Sequence, residues 1–270
     1  MLKKIHHVGV VVRSADEALK FYRDTLGLSV TKDAVIEDQG VRGVLLPAGE
    51  TEIELLEPTR EGTGVARFLE RGEGMHHVCF ESDDVGAELE AAQAKGLRLI
   101  DDKPRQGLAG MIGFLHPAAT KGVLVEFATP PAGEAHHAAA GMVRNFDHLV
   151  VAVKDLEEGA QVWNKNFGFE VQRRGESQEL GIRNAILPVD GAFAFVELIT
   201  PLSDETPAGR YLQQRGEGMY LISLAVNNLD QAVSAMKEKG LRVTGPMAGG
   251  LAFLNPRECH GVYIQLRQRQ

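Results

Sequence analysis

The sequence predicts an α+β protein built by tandem duplication, in which one βαβββ unit is used four times. Three observations predict it. RGEGM occurs at Arg71 to Met75 and again at Arg215 to Met219, and KGLR at Lys95 and again at Lys239, both pairs 144 residues apart. Longer segments match at nearly that offset: IHHVGVVV with FDHLVVAV, ALKFYRDTLGL with AQVWNKNFGF, and IELLEP with VELITP. A fixed self-similarity of this kind marks a repeated structural unit. Within each copy a strand-like HHVGVVV segment, an amphipathic helix and further short β-rich runs recur, so that the first unit spans Ile5 to Thr59 and the second Met75 to Thr129.

The elements follow in order. MLKKIHHVGVVV has a basic lead before apolar residues, but two histidines interrupt it and no small-residue cleavage site follows, so it reads as a first strand. Over Ala15 to Leu26 the residues Ala18, Leu19, Phe21, Tyr22 and Leu26 fall on one helical face, with Ser14 as N-cap and Gly27 as the stop. GVRGVLLP and TEIELLEP supply strands. The second unit repeats the grammar with a helix over Ala87 to Lys95, Gly96 as its stop, and the runs GMIGFLHP and GVLVEFATP. PPAGEAHHAAAGM lacks apolar periodicity and is rich in Ala, Gly and Pro. It divides the chain into a domain over 1–130, a linker over 131–144 that carries solvated His136 and His137, and a second domain over 145–270.

Composition excludes several function classes. The 270 residues allow two domains of ordinary size, and the net charge of −8 with interspersed signs offers no basic face to a nucleic acid. No apolar run reaches the roughly 20 residues of a membrane helix. Two cysteines, Cys79 and Cys259, form no framework, which points to a reducing, cytoplasmic setting. A glycine-rich phosphate loop, a nucleophile elbow and paired CxxC motifs are all absent from the sequence.

The repeat also selects candidate ligands. Neighbouring residues of a strand face opposite ways, so His6-His7 presents one ring to each side. Aligning IHHV with FDHL matches His7 to His148 and His6 to Asp147, and the unit-to-unit comparison picks His77 over His76 in the same way. Glu54 aligns with Glu197, whereas Glu52 aligns with Phe195. Glu126 stands alone as a carboxylate in the apolar run GVLVEFATP, where burial is expensive unless a cation meets it. His7 and Glu54 are 47 residues apart and His77 and Glu126 are 49 apart, so each unit offers a first-strand histidine and a last-strand glutamate. Two units packed symmetrically would bring His7, Glu54, His77 and Glu126 onto one divalent ion. Mixed nitrogen and oxygen donors suit Co, Ni, Mn, Zn or Fe(II), and an octahedral ion would keep two positions for a small-molecule substrate.

These residues resemble the vicinal oxygen chelate superfamily, and the resemblance covers both halves. It implies tandem domains, each pairing two βαβββ units in a curved mixed sheet around a metal cleft. The N-terminal half is similar to the methylmalonyl-CoA epimerase family through IHHVGVVV, ALKFYRDTLGL, IELLEP, GMHHVCFE, DDKPRQG and FLHPAATKGVLVEF. That likeness places metal ligands on His7, Glu54, His77 and Glu126, makes Glu126 a candidate proton-transfer base, and implies epimerisation of an acyl-CoA α to its carbonyl through a metal-stabilised enolate. Arg105, in DKPRQG, is a candidate contact for a coenzyme A phosphate or carboxylate. A further acid/base glutamate of some epimerases would align near Gly43, so the second proton carrier is unassigned. Copy two keeps His148 and Glu197 but has Leu221 and Gln265 at the other two positions, and reads as a degenerate domain. It is expected to stand in for the dimer contact of single-domain relatives, with a homodimer left open.

His116 and His260 precede the last strand of their copies, where turn-capping or solvation is the plainer reading. Cys79 shares the face of His77 and either lines the cavity or packs in the core. Competing functions are a glyoxalase-type lyase, an extradiol-type dioxygenase and a non-catalytic binding protein. The PRQG and FLHP segments favour the epimerase over the first, and the fourth ligand Glu54 disfavours the second.

Overall fold

The computed structural model describes residues 2–131, 141–247 and 249–269; His136 and His137 lie outside them. In the first half the elements are β1 (Lys4–Val11), α1 (Ala15–Tyr22), β2 (Lys32–Ile36), β3 (Val41–Ala48), β4 (Thr51–Pro58), α2 (Gly64–Leu69), β5 (Gly74–Glu81), α3 (Val85–Ala94), β6 (Arg105–Gly107), β7 (Gly110–Leu115) and β8 (Val125–Thr129). The second half repeats the series as β9 (Val143–Ala152), α4 (Leu156–Phe167), β10 (Arg173–Ser177), β11 (Ile182–Pro188), β12 (Phe195–Pro201), α5 (Pro207–Arg215), β13 (Gly218–Val226), α6 (Leu229–Glu238), β14 (Val243–Met247), β15 (Leu251–Leu254) and β16 (Ile264–Gln268).

Each half forms one eight-stranded mixed sheet, ordered β2-β3-β4-β1-β5-β8-β7-β6 and β10-β11-β12-β9-β13-β16-β15-β14. The order is that of two βαβββ modules per sheet. In each module the first and last strands pair in parallel and the others add on antiparallel, as β1 with β4 and β5 with β8.

By packing, the chain divides differently from its repeat. One compact unit combines Met1–His6, His77–Ala132 and His148–Tyr220, and the other His7–His76, Gly133–Asp147 and Leu221–Gln270. Each therefore holds one module from either half. In the first unit Phe80 of β5 meets Trp163, Phe167 and Phe169 with ring centroids 5.3–6.4 Å apart, around a fully buried Trp163. Lys95 donates to the carbonyl of Asn166 at 2.7 Å, and Asn166 donates to that of Ala119 at 2.6 Å. In the second unit the Tyr22 hydroxyl donates to the carbonyl of Cys259 at 3.2 Å, and Lys239 to that of Asp24 at 2.6 Å.

The repeated RGEGM motif has a mechanical role in both units. Glu73 accepts the Arg13 amide at 2.8 Å with one oxygen and pairs with His260 at 3.1 Å with the other. Glu217 accepts the Lys154 amide at 2.9 Å and faces Lys121 at 3.8 Å, and Lys121 also pairs with Glu158 at 2.7 Å. Lys121 and His260 occupy matching turns and share a left-handed backbone, φ 57° and 53°. The glycine after each turn abuts the motif: a Cβ on Gly122 would lie 2.0 Å from the carbonyl oxygen of Glu217, and one on Gly261 2.0 Å from that of Glu73. His260 thus ties one half to the other instead of merely capping a turn. His116 does cap its turn, its Nδ1 accepting from the amide of Ala118.

Element limits differ modestly from the expectation. The α1 helix starts at Ala15 with Ser14 accepting from the amide of Glu17, but it ends at Tyr22. Beyond it the ladder widens, with the amides of Asp24 and Leu26 reaching the carbonyls of Leu19 and Phe21, until Gly27 turns the chain at φ 79°. The apolar face up to Leu26 is buried all the same, which is why its periodicity reads as unbroken helix. The short α2 carried no sequence signal; its Val65, Phe68 and Leu69 cover Val11, Val41 and Leu56. Among the described residues no helix is long and apolar enough to cross a membrane.

Candidate metal centre

The parallel strand pair of every module positions the same two side chains. Glu54 lies opposite Gly9, Glu126 opposite Cys79, Glu197 opposite Val150 and Gln265 opposite Ser223. In each case the partner is two residues beyond the first-strand position held by His7, His77, His148 or Leu221. Period-two alternation then puts both groups on one face as diagonal neighbours, within reach of each other.

They meet in three of the four modules. Nε2 of His7 is 3.4 Å from the Glu54 carboxylate, that of His77 is 2.8 Å from Glu126, and that of His148 is 3.0 Å from Glu197. His7 and His77 are 1 % and 2 % exposed, and Glu54 and Glu126 are 5 % and 3 % exposed. A carboxylate withdrawn this far from water carries a desolvation cost of several kcal/mol that only cationic company offsets. Imidazole nitrogen with carboxylate oxygen is the donor mixture of borderline divalent ions. His7, His77 and Glu126 are buried residues of types that could hold a metal ion, so the side chains present fit the group.

The remaining candidates fall into place around these pairs. His6 is buried as well, and His76 packs edge-on against Phe68 at 5.1 Å. Phe114 of β7 meets the His77 ring edge-on at 5.4 Å and carries Arg105 over its face at 5.4 Å. Arg105 is also tied to Asp101 at 3.2 Å. Cys79 is fully buried in an apolar cluster with Ala109, Ile112 and Ala128, beside Phe114.

Two residues that sequence comparison set aside or passed over belong to the same face. Glu52 is 7 % exposed and lies opposite His7, two residues from Glu54. Its counterpart Phe195 stacks on His148 with centroids 4.6 Å apart. The second is Lys32 of β2, opposite Leu45, which in turn lies opposite Glu54. Residue parity carried the signal for Glu52, since Glu52 and Glu54 must share a face. For Lys32 the signal needed the β2 register, which no motif marks.

The fourth module lacks the pair. Leu221 is buried where a histidine stands elsewhere, and Gln265 accepts from the Ser223 hydroxyl at 2.8 Å. In the third, the Asn184 amide donates to the second oxygen of Glu197. At the position of His6 the second half has Asp147, fully buried and bonded to Arg269 at 3.0 Å.

Comparison with known proteins agrees with this architecture. Residues 6–114 match the family model of the glyoxalase/bleomycin resistance protein/dioxygenase superfamily, and residues 146–266 match that of a glyoxalase-like domain. The chain belongs to the glyoxalase/bleomycin resistance protein/dioxygenase superfamily. Its N-terminal half is similar to epimerases of that superfamily. It is 37 % identical over 128 residues to the mitochondrial methylmalonyl-CoA epimerase of Mus musculus, covering 46 % of this chain and 72 % of that protein. It is 35 % identical over 130 residues to the ethylmalonyl-CoA/methylmalonyl-CoA epimerase of Cereibacter sphaeroides, covering 47 % and 97 %. As a fold, the whole chain superposes on a mutant 4-hydroxymandelate synthase of Streptomyces coelicolor with a TM-score of 0.76 and 18 % identity, covering 100 % of this chain and 93 % of that one. Tandem use of the superfamily fold in one chain is thus shared with an enzyme of different name.

Proposed function

We propose that this protein is a divalent-metal-dependent epimerase of methylmalonyl-CoA or a related acyl-CoA, with His7, Glu54, His77 and Glu126 as its metal ligands. The observation that carries the reading is the pair of buried histidine–glutamate couples at the same register in both modules of the epimerase-like half. Their donor chemistry and the similarity to named epimerases support it. Residues 1–130 then form the catalytic domain, and residues 145–270 a degenerate one joined to it through 131–144.

A divalent ion held by these side chains supplies Lewis acidity, drawing charge from an α-carbon that has lost its proton. The chain's own residues supply the rest. Glu126 takes the α-proton, its carboxylate oriented by His77, and a second group returns a proton to the opposite face of the carbon. The apolar wall of Phe114, Ile112 and Ala128 excludes water from the reacting carbon. Arg105 sits at the edge of that wall as a contact for the coenzyme A portion.

The test is exchange of the α-proton of methylmalonyl-CoA with deuterated solvent, with and without added Co2+. Metal-dependent exchange is the expected result, and its absence for methylmalonyl-CoA and ethylmalonyl-CoA alike would reject the reaction. Elemental analysis of His77→Ala beside the wild type checks the ligand set separately: the variant is expected to lose its metal.

A further inference from the structure

In the first compact unit a cavity of about 100 Å3 lies where α3 of the first half meets the end of α4 of the second. Ala92 of α3, Leu115 of β7, Phe127 of β8 and Phe167 of α4 give it an apolar lining, and Lys95 and Asn166 are polar members of its wall. Strand parity separates it from the proposed metal ligands. Phe114 and Glu126 lie opposite each other on the face where Phe114 meets His77. Leu115 and Phe127, one residue on from each, therefore point to the other face of the sheet, which α3 covers.

The duplication shows that the space is particular to this joint. At the repeat offset, Lys239 stands for Lys95 and Met236 for Ala92. Both lysines brace the helix end of the other half, Lys95 through the carbonyl of Asn166 at 2.7 Å and Lys239 through that of Asp24 at 2.6 Å. Met236 is fully buried, so a thioether chain fills one joint where a single methyl group stands in the other. Protein interiors keep few voids larger than a water molecule, and one retained beside a lysine calls for an occupant.

We infer that this cavity binds a short unbranched carboxylate, with its alkyl chain among Ala92, Leu115 and Phe127 and its carboxylate on Lys95 and Asn166. An ammonium has three donors, of which Lys95 gives one to the Asn166 carbonyl, and a carboxamide has two, of which Asn166 gives one to the carbonyl of Ala119. A carboxylate can accept a charge-assisted bond from the first and a second bond from the other. Glu88, also in the wall, precedes Lys95 by two helical turns, about 10 Å at 1.5 Å per residue. Like charge there directs the carboxylate to the lysine end. An apolar cavity of about 150 Å3 takes benzene, so this one has room for about four carbon atoms beyond the carboxylate, which makes pentanoate the best fit. The site is independent of the proposed reaction, since none of these side chains belongs to the histidine–glutamate pairs.

The test titrates the full chain with propionate, butyrate, pentanoate and hexanoate, following each by ligand-observed NMR. Affinity is expected to rise about fourfold per methylene and to level off at pentanoate. Pentylamine, with the same chain and the opposite charge, should bind at least about tenfold more weakly than pentanoate. Ala92→Met, which copies the second half, should abolish pentanoate binding. Lys95→Gln changes only an exposed position and should weaken pentanoate about tenfold while leaving 1-pentanol unchanged. Equal binding of pentanoate, pentylamine and 1-pentanol would leave Lys95 no part in recognition and overturn the assignment. Pentanoate binding that is absent in wild type, or unchanged in both variants, would overturn the site itself.

Discussion

Glu126 illustrates how one strand position acquires chemistry. It lies opposite Cys79 on a parallel neighbour, so its carboxylate meets His77 diagonally, and Phe114 and Ile112 keep the surroundings apolar. On the proposed reaction Glu126→Gln keeps the shape but removes the base, and is expected to lower α-proton exchange by about 10²- to 10⁴-fold. Isotope exchange with the variant measures this, and a rate near that of wild type would remove Glu126 from the proton path. The equivalent Gln265 shows the inert version in the same molecule, satisfied by a serine hydroxyl and carrying no charge. Glu197 is still a glutamate, but Asn184 occupies its second oxygen and Phe195 stacks on its histidine.

At the scale of elements, the turns before β8 and β16 do more than reverse the chain. Gly122 (φ 83°) and Gly261 (φ 78°) sit in left-handed backbone, with the carbonyls of Glu217 and Glu73 where a Cβ would go. Gly261→Ala would meet both the φ penalty and that clash, and we expect a loss on the order of 3 kcal/mol in denaturant unfolding. A midpoint unchanged from wild type would show that the turn can shift away from Glu73. Helix starts are governed more locally. Ser14 caps α1 and Thr63 caps α2 through single side-chain bonds to the amides of Glu17 and Ala66. Thr63→Ala should cost about 1 kcal/mol by the same measurement.

For the whole molecule, the duplication and the packing are different partitions. Each compact unit takes one module from either half, so the halves are held together twice over: by the aromatic group around Trp163 and by the Glu73 and Glu217 contacts. Trp163 is the one tryptophan in the sequence, which makes its fluorescence a reporter of the first of these joints. The fluorescence transition is expected to coincide with loss of secondary structure by circular dichroism, because separating the halves uncovers both module cores. Trp163→Ala should cost about 3–5 kcal/mol. An early fluorescence transition that leaves the dichroism intact would mean that the halves fold apart.

The fold class and the duplication are legible in the residues alone, and so is the choice of ligand candidates to test. Periodicity marks α1 and the strands, and the repeat separates His7 from His6 and Glu54 from Glu52, because alignment between copies needs no coordinates. What it could not reach depends on strand register and long-range contact. The inner-face place of Lys32 follows from its row through Leu45 to Glu54, and the buried Glu52 stands opposite His7 although its copy-two counterpart is an aromatic ring. His260 looked like a turn residue because its partner Glu73 is 187 residues away. The compact units were hidden for the same reason. Local pattern records which face of a strand is apolar, but only tertiary packing decides which module supplies the surface that covers it.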